Sequence, residues 1–487
     1  MSVPRCNQLE AKYSQIWQKM TVYPGHIELR TYEPTDLEEQ GYSYEYLSPE
    51  NLKLPSAKVV NRILAPDAQA FKVMVVRAND SLTIEGASKL VEFARAGLPI
   101  IFAGGVPSTF LGTNPPALLR TAKESLHATV SLPNVHTTST YLVASSIAEL
   151  GIKPSTKISA NASWFTYWRS DVKSGIDYIF VYNDAMYEPL GGGLSEGTIE
   201  FESTGIPYEY NAWTGEVRPI LSYSQDNSTT TISLRLAGNQ STIVAFHPTS
   251  MGVKRSTHLT KISAGIVDVY SSNNNTLTLK IGGTEPISYT TASGLQRNIS
   301  AISSRPFTIS NWSLIVEHWD PPPNLYNYTY GAYKHNSTHQ LSDMVSWLEM
   351  PDLRNVSGRG YYHAAFNWPP SSTNSTPPSG AILHFPPITH TLRASLNGHL
   401  LPPLDVSDPK ADIQEYLVRG QNIIEVVVAT PLGNAMRPIW HMLMSSGESP
   451  SSPDAGERYG FVPPPEGRYG MFGGKGVFLL PYQEIVI

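Results

Sequence analysis

The chain of 487 residues has one cysteine, Cys6, which excludes an internal disulfide framework and any cysteine-ligated zinc site and leaves stability to packing. It has no run of eighteen apolar residues, so no membrane-spanning helix is expected. Charge is sparse, with Asp, Glu, Lys and Arg at 16% and a net charge of -6. No basic stripe interrupts that balance, and a nucleic-acid backbone would be repelled over most of the surface; nucleic acid and membrane are both set aside as partners. The opening stretch MSVPRCNQLEAKYSQIWQKM lacks the apolar core and small-residue cleavage site of a signal peptide.

Proline (39), glycine (36) and tyrosine (26) are abundant beside 41% apolar residues, a mixture that favours strands joined by turns. The length suits two to four domains. Asn-x-Ser/Thr acceptors fall at Asn79, Asn161, Asn227, Asn239, Asn274, Asn298, Asn311, Asn327, Asn336, Asn355 and Asn374, which is eleven of 25 asparagines. That excess over chance placement predicts an extracellular, secreted glycoprotein. The alternative is a Ser/Thr-rich chain with accidental acceptors.

Four regions follow from the periodicity. Leu9, Tyr13, Ile16, Trp17 and Met20 recur at helical spacing, and residues 1–24 read as a short amphipathic helix with an aromatic face that seeks a partner. Residues 25–158 alternate apolar strands (AFKVMVVR, LPIIFAGG) with helices, one capped by Asp80 or Ser81 and closed by Gly97, which predicts a small parallel-sheet α/β domain. From Trp164 the period changes to two, and residues 159–335 are expected to form antiparallel β-sandwiches ending in an exposed connector, HWDPPPNLYNYTYGAYKHNSTHQ. Residues 336–487 return to strands, with Asn397-Gly398 as a type I′ hairpin turn and Pro402 and Pro403 ending the pairing, the pattern of a jelly roll.

Few residues propose chemistry of their own. GLSEG, Gly193–Gly197, matches a serine-hydrolase elbow, but an alternating segment follows Ser195 where that elbow needs a helix. Glu200 and Glu202 fit one solvated strand face better than a catalytic pair. Gly191-Gly192-Gly193 precedes a strand, so no helix N-terminus awaits a phosphate. The thirteen histidines show neither His-Glu-x-x-His nor a calcium loop, and His384 and His390 read as strand residues. No metal, cofactor or catalytic residue is assigned.

SGRGYYHAAFNWP, LRASLNGHLL and DIQEYLVRGQNIIEVVVATPLGNAMRP, taken in order, resemble the galactose-binding-like, sugar-binding jelly roll of β-galactosidase-type glycoside hydrolases. With GYSYEYLSPENLKLPSAKVVNRILAPDAQAFKVMVV and GIPYEYNAWTGEVRPI, the chain from about Ile27 onward looks most like the C-terminal half of fungal secreted proteins related to glycoside hydrolase family 106, the α-L-rhamnosidases. The resemblance implies an amidotransferase- or flavodoxin-like α/β domain, then β-sandwiches and the jelly roll. It also implies that the catalytic barrel, its acidic pair and its calcium lie upstream as a partner domain, and that residues 1–24 are a remnant helix of that domain. The cysteine nucleophile of the amidotransferase relatives is replaced by Ala103-Gly104-Gly105, which excludes thiol chemistry there.

Exposed aromatic rings stack on sugar C–H faces, and Trp347, Tyr361, Tyr362 and Trp368, with Asn397 and His399 for polar contacts, are the candidate carbohydrate-binding residues. The leading expectation is the ancillary, non-catalytic part of a secreted hydrolase of rhamnose-containing or related plant or algal glycans. The alternatives are a free-standing secreted carbohydrate-binding or interaction protein and an active α-L-rhamnosidase-like hydrolase.

Overall fold

The computed structural model describes residues 22–23, 26–27, 36–48, 51–160, 164–184, 194–249, 257–271, 276–299, 305–324, 329, 331–370, 377–388, 390–440, 465–473 and 475–487. The helix expected within residues 1–24 and the Gly191-Gly192-Gly193 run lie outside the described residues.

The apolar runs of the first region form a parallel sheet. Strands β1 (Met74–Arg77), β2 (Ile100–Ala103) and β3 (Val135–Thr138) pair in that order. The central strand needs cover on both faces. Ile100 and Phe102 pack with α1 (Ile84–Arg95) and α2 (Pro116–Ala128), while Ile101 and Ala103 pack with α3 (Val143–Glu149) on the other side. The three strands follow one another in sheet order as they do in the chain.

Capping of α1 differs from the sequence reading. Thr83 is the N-cap, its Oγ1 accepting from the Gly86 amide at 2.9 Å, because Ser81 and Leu82 pair in parallel with Thr109 and Phe110. Asp80 instead accepts from the Arg77 amide at 2.8 Å. Gly97 closes the helix as expected at φ +89°, with the Leu98 amide reaching back to the Phe93 carbonyl.

A sandwich of two antiparallel sheets follows. One sheet orders β4 (Thr156–Ala160), β7 (Ser195–Phe201), β11 (Thr230–Leu236) and β10 (Ser224–Gln225). The other orders β5 (Trp164–Asp171), β6 (Ile176–Asn183), β12 (Ser241–His247), β8 (Ile206–Tyr210) and β9 (Val217–Pro219). Trp164, Ile179, Ile199, Phe201, Ile232 and Phe246 share the core between them. A three-stranded sheet of β13 (Leu259–Ile262), β16 (Ile287–Thr291) and β17 (Gln296–Ile299) closes this region.

The C-terminal sandwich of antiparallel sheets begins earlier than residue 336. Its first sheet orders β20 (Tyr333–Leu341), β19 (Trp312–Asp320), β21 (Gly358–Trp368), β26 (Gly420–Ala429), β23 (Thr391–Leu396) and β24 (His399–Leu400). The supposed connector therefore contains the end of β19 and all of the edge strand β20 except Leu341, the two strands pairing from Trp312↔Leu341 to Asp320↔Tyr333. Its polar His, Asn, Ser and Thr content hid the pairing, since an edge strand has little apolar face to display.

The second sheet orders β14 (Ile266–Ser271), β15 (Leu277–Gly282), β27 (Phe478–Val486), β22 (Gly380–His384) and β25 (Lys410–Asp412), with β18 (Phe307–Thr308) also on β27. A hairpin from the preceding region is thus hydrogen-bonded to the C-terminal strand, through Thr278↔Val486 to Gly282↔Tyr482. Asn397 and Gly398 form the two-residue turn expected between β23 and β24, at φ +53° and +80°. Asn397 also donates to Asn422 Oδ1 and the Tyr416 carbonyl, each at 2.8 Å, so its amide holds the fold.

Two histidines of this domain are neutral core groups. His384 stacks on Phe478 at 4.6 Å between ring centroids, and His390 Nε2 accepts from the Gly470 amide at 3.3 Å. Burial lowers both imidazoles to about 4. An unfolded imidazole titrates near ~6.5, so on acidification the unfolded chain takes up the proton first. The stabilisation is complete above about pH 6.5 and is lost progressively toward pH 4. Urea melts at pH 7 and pH 4.5 should differ by about 2 kcal/mol per histidine, with a smaller fall in His390→Asn.

Candidate functional site

Strand alternation separates the candidate aromatics. Along β21 the even-numbered side chains point into the sandwich and the odd-numbered ones point to solvent. Tyr362 and Trp368 are 1% and 8% exposed, and Trp347, on a short 3₁₀ turn over the sheet, is 0% exposed. The Trp347 Nε1–H donates to the Tyr362 hydroxyl at 2.9 Å, which also accepts from the Met471 amide at 3.3 Å. Burial pushes the Tyr362 hydroxyl up to about 12. These three rings fill the core, so the expectation that they are sugar platforms is corrected; only Tyr361, 37% exposed, presents a ring on the outer face.

That outer face carries a groove of about 470 Å³ crossing β19, β21, β26, β23 and β24. The ladder register builds it as two rungs. One aligns Ile315, Tyr361, Val427 and Arg393; the next aligns Ser313, His363, Glu425, Ser395 and Leu400. Successive rungs on one strand face are about 6.6–7 Å apart. Ser395 Oγ donates to Glu425 Oε2 at 3.3 Å, which leaves the other carboxylate oxygen to accept. Arg393 offers a planar fork of donors, and Tyr361, Ile315 and Leu400 offer apolar surface. His363, Arg393 and Glu425 were not singled out from sequence, although period two along YYHAAFNW places His363 beside Tyr361.

The other sequence candidates scatter. His399 is exposed beyond the turn and lies 6.0 Å from Tyr416 between ring centroids, off the groove. Asn397 is bound up in the turn as described. Ser195 opens a strand opposite Leu236 and is buried, so the elbow geometry is absent. Glu200 and Glu202 are both exposed, and Glu202 lies 3.7 Å from Lys72 Nζ. Ala103 is buried, and Gly104 and Gly105 follow at φ +79° and +116° without any nucleophile.

No protein-family model matches the chain, and no curated protein does. A rhamnosidase structure from Novosphingobium sp. PP1Y is similar at 15% identity over 87% of this chain and 34% of its own, with a TM-score of 0.49. A β-glucuronidase from Faecalibacterium prausnitzii is similar at 14% identity over 38% of this chain and 32% of its own, with a TM-score of 0.23. For an α-L-rhamnosidase from Dictyoglumus thermophilum the corresponding values are 8%, 50%, 24% and 0.17. The chain spans about a third of the length of the first two solved structures.

Proposed function

We propose that this chain is the glycan-binding, non-catalytic part of a secreted glycoside-hydrolase-type protein, related to α-L-rhamnosidases of glycoside hydrolase family 106 and acting on rhamnose-containing or related plant or algal glycans. The observation that carries the reading is the two-rung groove on the outer jelly-roll face, where one aromatic ring, a guanidinium and a carboxylate converge. Cleavage through paired carboxylates needs two acidic groups about 5–9.5 Å apart. Glu425 is the one acidic residue among those lining the groove, which favours holding a sugar over hydrolysing it. Catalysis belongs, in this reading, to a barrel upstream.

Secretion is supported by the placement of the glycan acceptors. Of the seven described ones, Asn79, Asn227, Asn298, Asn311, Asn336 and Asn355 are exposed. Asn239 is half-buried at φ +63°, its Oδ1 accepting from the Tyr182 hydroxyl at 3.2 Å. Material secreted from a eukaryotic host should gain glycan mass at the six exposed sites and none at Asn239, as read by enzymatic deglycosylation and peptide mass spectrometry. An unglycosylated secreted product would remove this support.

Titration of rhamnose-bearing oligosaccharides against the purified chain tests the groove. Tyr361→Ala and Glu425→Gln are expected to weaken binding at least tenfold, about 1.4 kcal/mol, with unchanged melting temperature. Binding insensitive to both substitutions would move the sugar elsewhere. Release of free sugar by the chain alone would overturn the non-catalytic reading.

A further inference from the structure

The register of β19 and β20 brings together three side chains that the sequence keeps apart. His318 and Asp320 are two residues apart on β19 and share a face; His335 on β20 lies directly across from His318. One potential ligand atom from each lies within 4.8 Å of the others. His335 Nδ1 is 3.2 Å from Asp320 Oδ2, and the imidazoles of His318 and His335 stack with centroids 4.2 Å apart and planes at 28°. This face is the inner one, at the rim of the sandwich: Val316 and His318 are buried, Asp320 is half-buried and His335 is open to solvent.

We infer that His318, Asp320 and His335 form a binding site for a divalent transition-metal ion that bridges β19 to the edge strand β20. Two imidazoles and a carboxylate are a donor set suited to zinc and its neighbours and unsuited to calcium, which takes six to eight oxygens. Ligand atoms on a tetrahedral ion held at about 2 Å stand about 3.3 Å apart, so the His335–Asp320 pair already has that spacing and only His318 has to close in. The surrounding hydrogen bonds favour the same assignment. Ser337 Oγ lies 2.7 Å from His318 Nε2 and 2.8 Å from His339 Nε2. A hydroxyl has one proton, so it can donate to one of these imidazoles while accepting from the other. Donation by His318 Nε2–H to Ser337 leaves the His318 Nδ1 lone pair for the ion, and Ser337 then donates to His339, an outer arrangement typical of metal-binding imidazoles. Solvent at the exposed rim supplies the remaining coordination. The site lies across the sheet from the groove, and it stands whether or not the groove binds sugar.

Zinc titration of the full chain, chelator-treated and free of any histidine tag, is the test. A single ion should bind, and it should raise the melting temperature. His335→Ala and Asp320→Asn should each weaken binding at least tenfold and abolish the thermal shift while leaving the metal-free melting temperature near the parent's. Both alter exposed or half-buried positions, so neither depends on refilling the core around His318. His363→Ala, in the groove, should leave binding intact. Cobalt substituted for zinc should show the visible absorption of a low-coordinate nitrogen/oxygen site. Failure to bind zinc, an affinity in either ligand variant equal to the parent's, or loss of binding in His363→Ala overturns the proposal.

Discussion

Trp347→Ala is expected to destabilise the chain by about 3–5 kcal/mol, the cost of emptying a fully buried indole site. A Cβ at Gly360 would come within 2.7 Å of Trp347 Cζ2, and a Cβ at Gly470 within 2.6 Å of both Trp347 Nε1 and the Tyr362 hydroxyl, so two glycines have been spent on seating this ring. The cavity would open between them. Tyr362→Phe removes the hydroxyl that pairs with Trp347 Nε1 and the Met471 amide while keeping the ring, and should cost about 1–3 kcal/mol by leaving those donors unpaired. Urea unfolding of both variants measures the difference. A sugar platform would behave oppositely, with binding lost and stability kept.

Asp412→Ala should cost about 2–3 kcal/mol, because it strips the counter-charge from a partly buried lysine. Asp412 pairs with Lys280 and accepts from the Tyr482 hydroxyl at 2.9 and 3.0 Å. The Lys280 side chain is 13% exposed, and its ammonium also sits 5.2 and 5.1 Å from the ring centres of Tyr270 and Tyr482. Asp412 is itself about a third open to solvent, which places the loss at the lower end of the range for buried pairs. Lys280 comes from β15 and Asp412 from β25, so the pair spans the second sheet of the C-terminal sandwich around Tyr482 on β27. Combining Asp412→Ala with Lys280→Met should recover part of the loss, since an apolar pair leaves no unmatched charge. Chemical denaturation of the single and double variants gives the coupling. Simple additivity would show that the two groups do not act together.

What could be read in advance was whatever depended on local periodicity. The apolar runs around Val75 and Ile101, the helix closed by Gly97 and the Asn397-Gly398 turn are each set by a few adjacent residues, and the structure has them where the pattern placed them, except that the strand read over Ala70–Arg77 is confined to Met74–Arg77. The start of the C-terminal sandwich was missed because β20 gains its identity from its partner: YKHNSTHQL is a strand on account of β19, with little apolar signal of its own. The aromatic cluster was misjudged for a different reason. Proximity in sequence grouped Tyr361 with Tyr362 and Trp368, whereas the pleat turns neighbours to opposite faces, and Trp347 enters the core from a separate turn. Arg393 and Glu425 could not be joined to Tyr361 at all until the ladder was known, since each lies on its own strand. The same holds for His318 and His335.

The position of β27 bears on how the chain is made. It is an inner strand of its sheet, flanked by β15 and β22, yet it is translated after every one of its neighbours. Roughly 200 residues separate β15 from its ladder partner, and at about 5–20 residues per second the ribosome needs about 10–40 s to deliver it. Through that interval Leu277, Leu279 and Ile281, all buried in the finished molecule, wait beside an open row of amides and carbonyls. The hairpin that carries them offers a chaperone that whole interval in which to act.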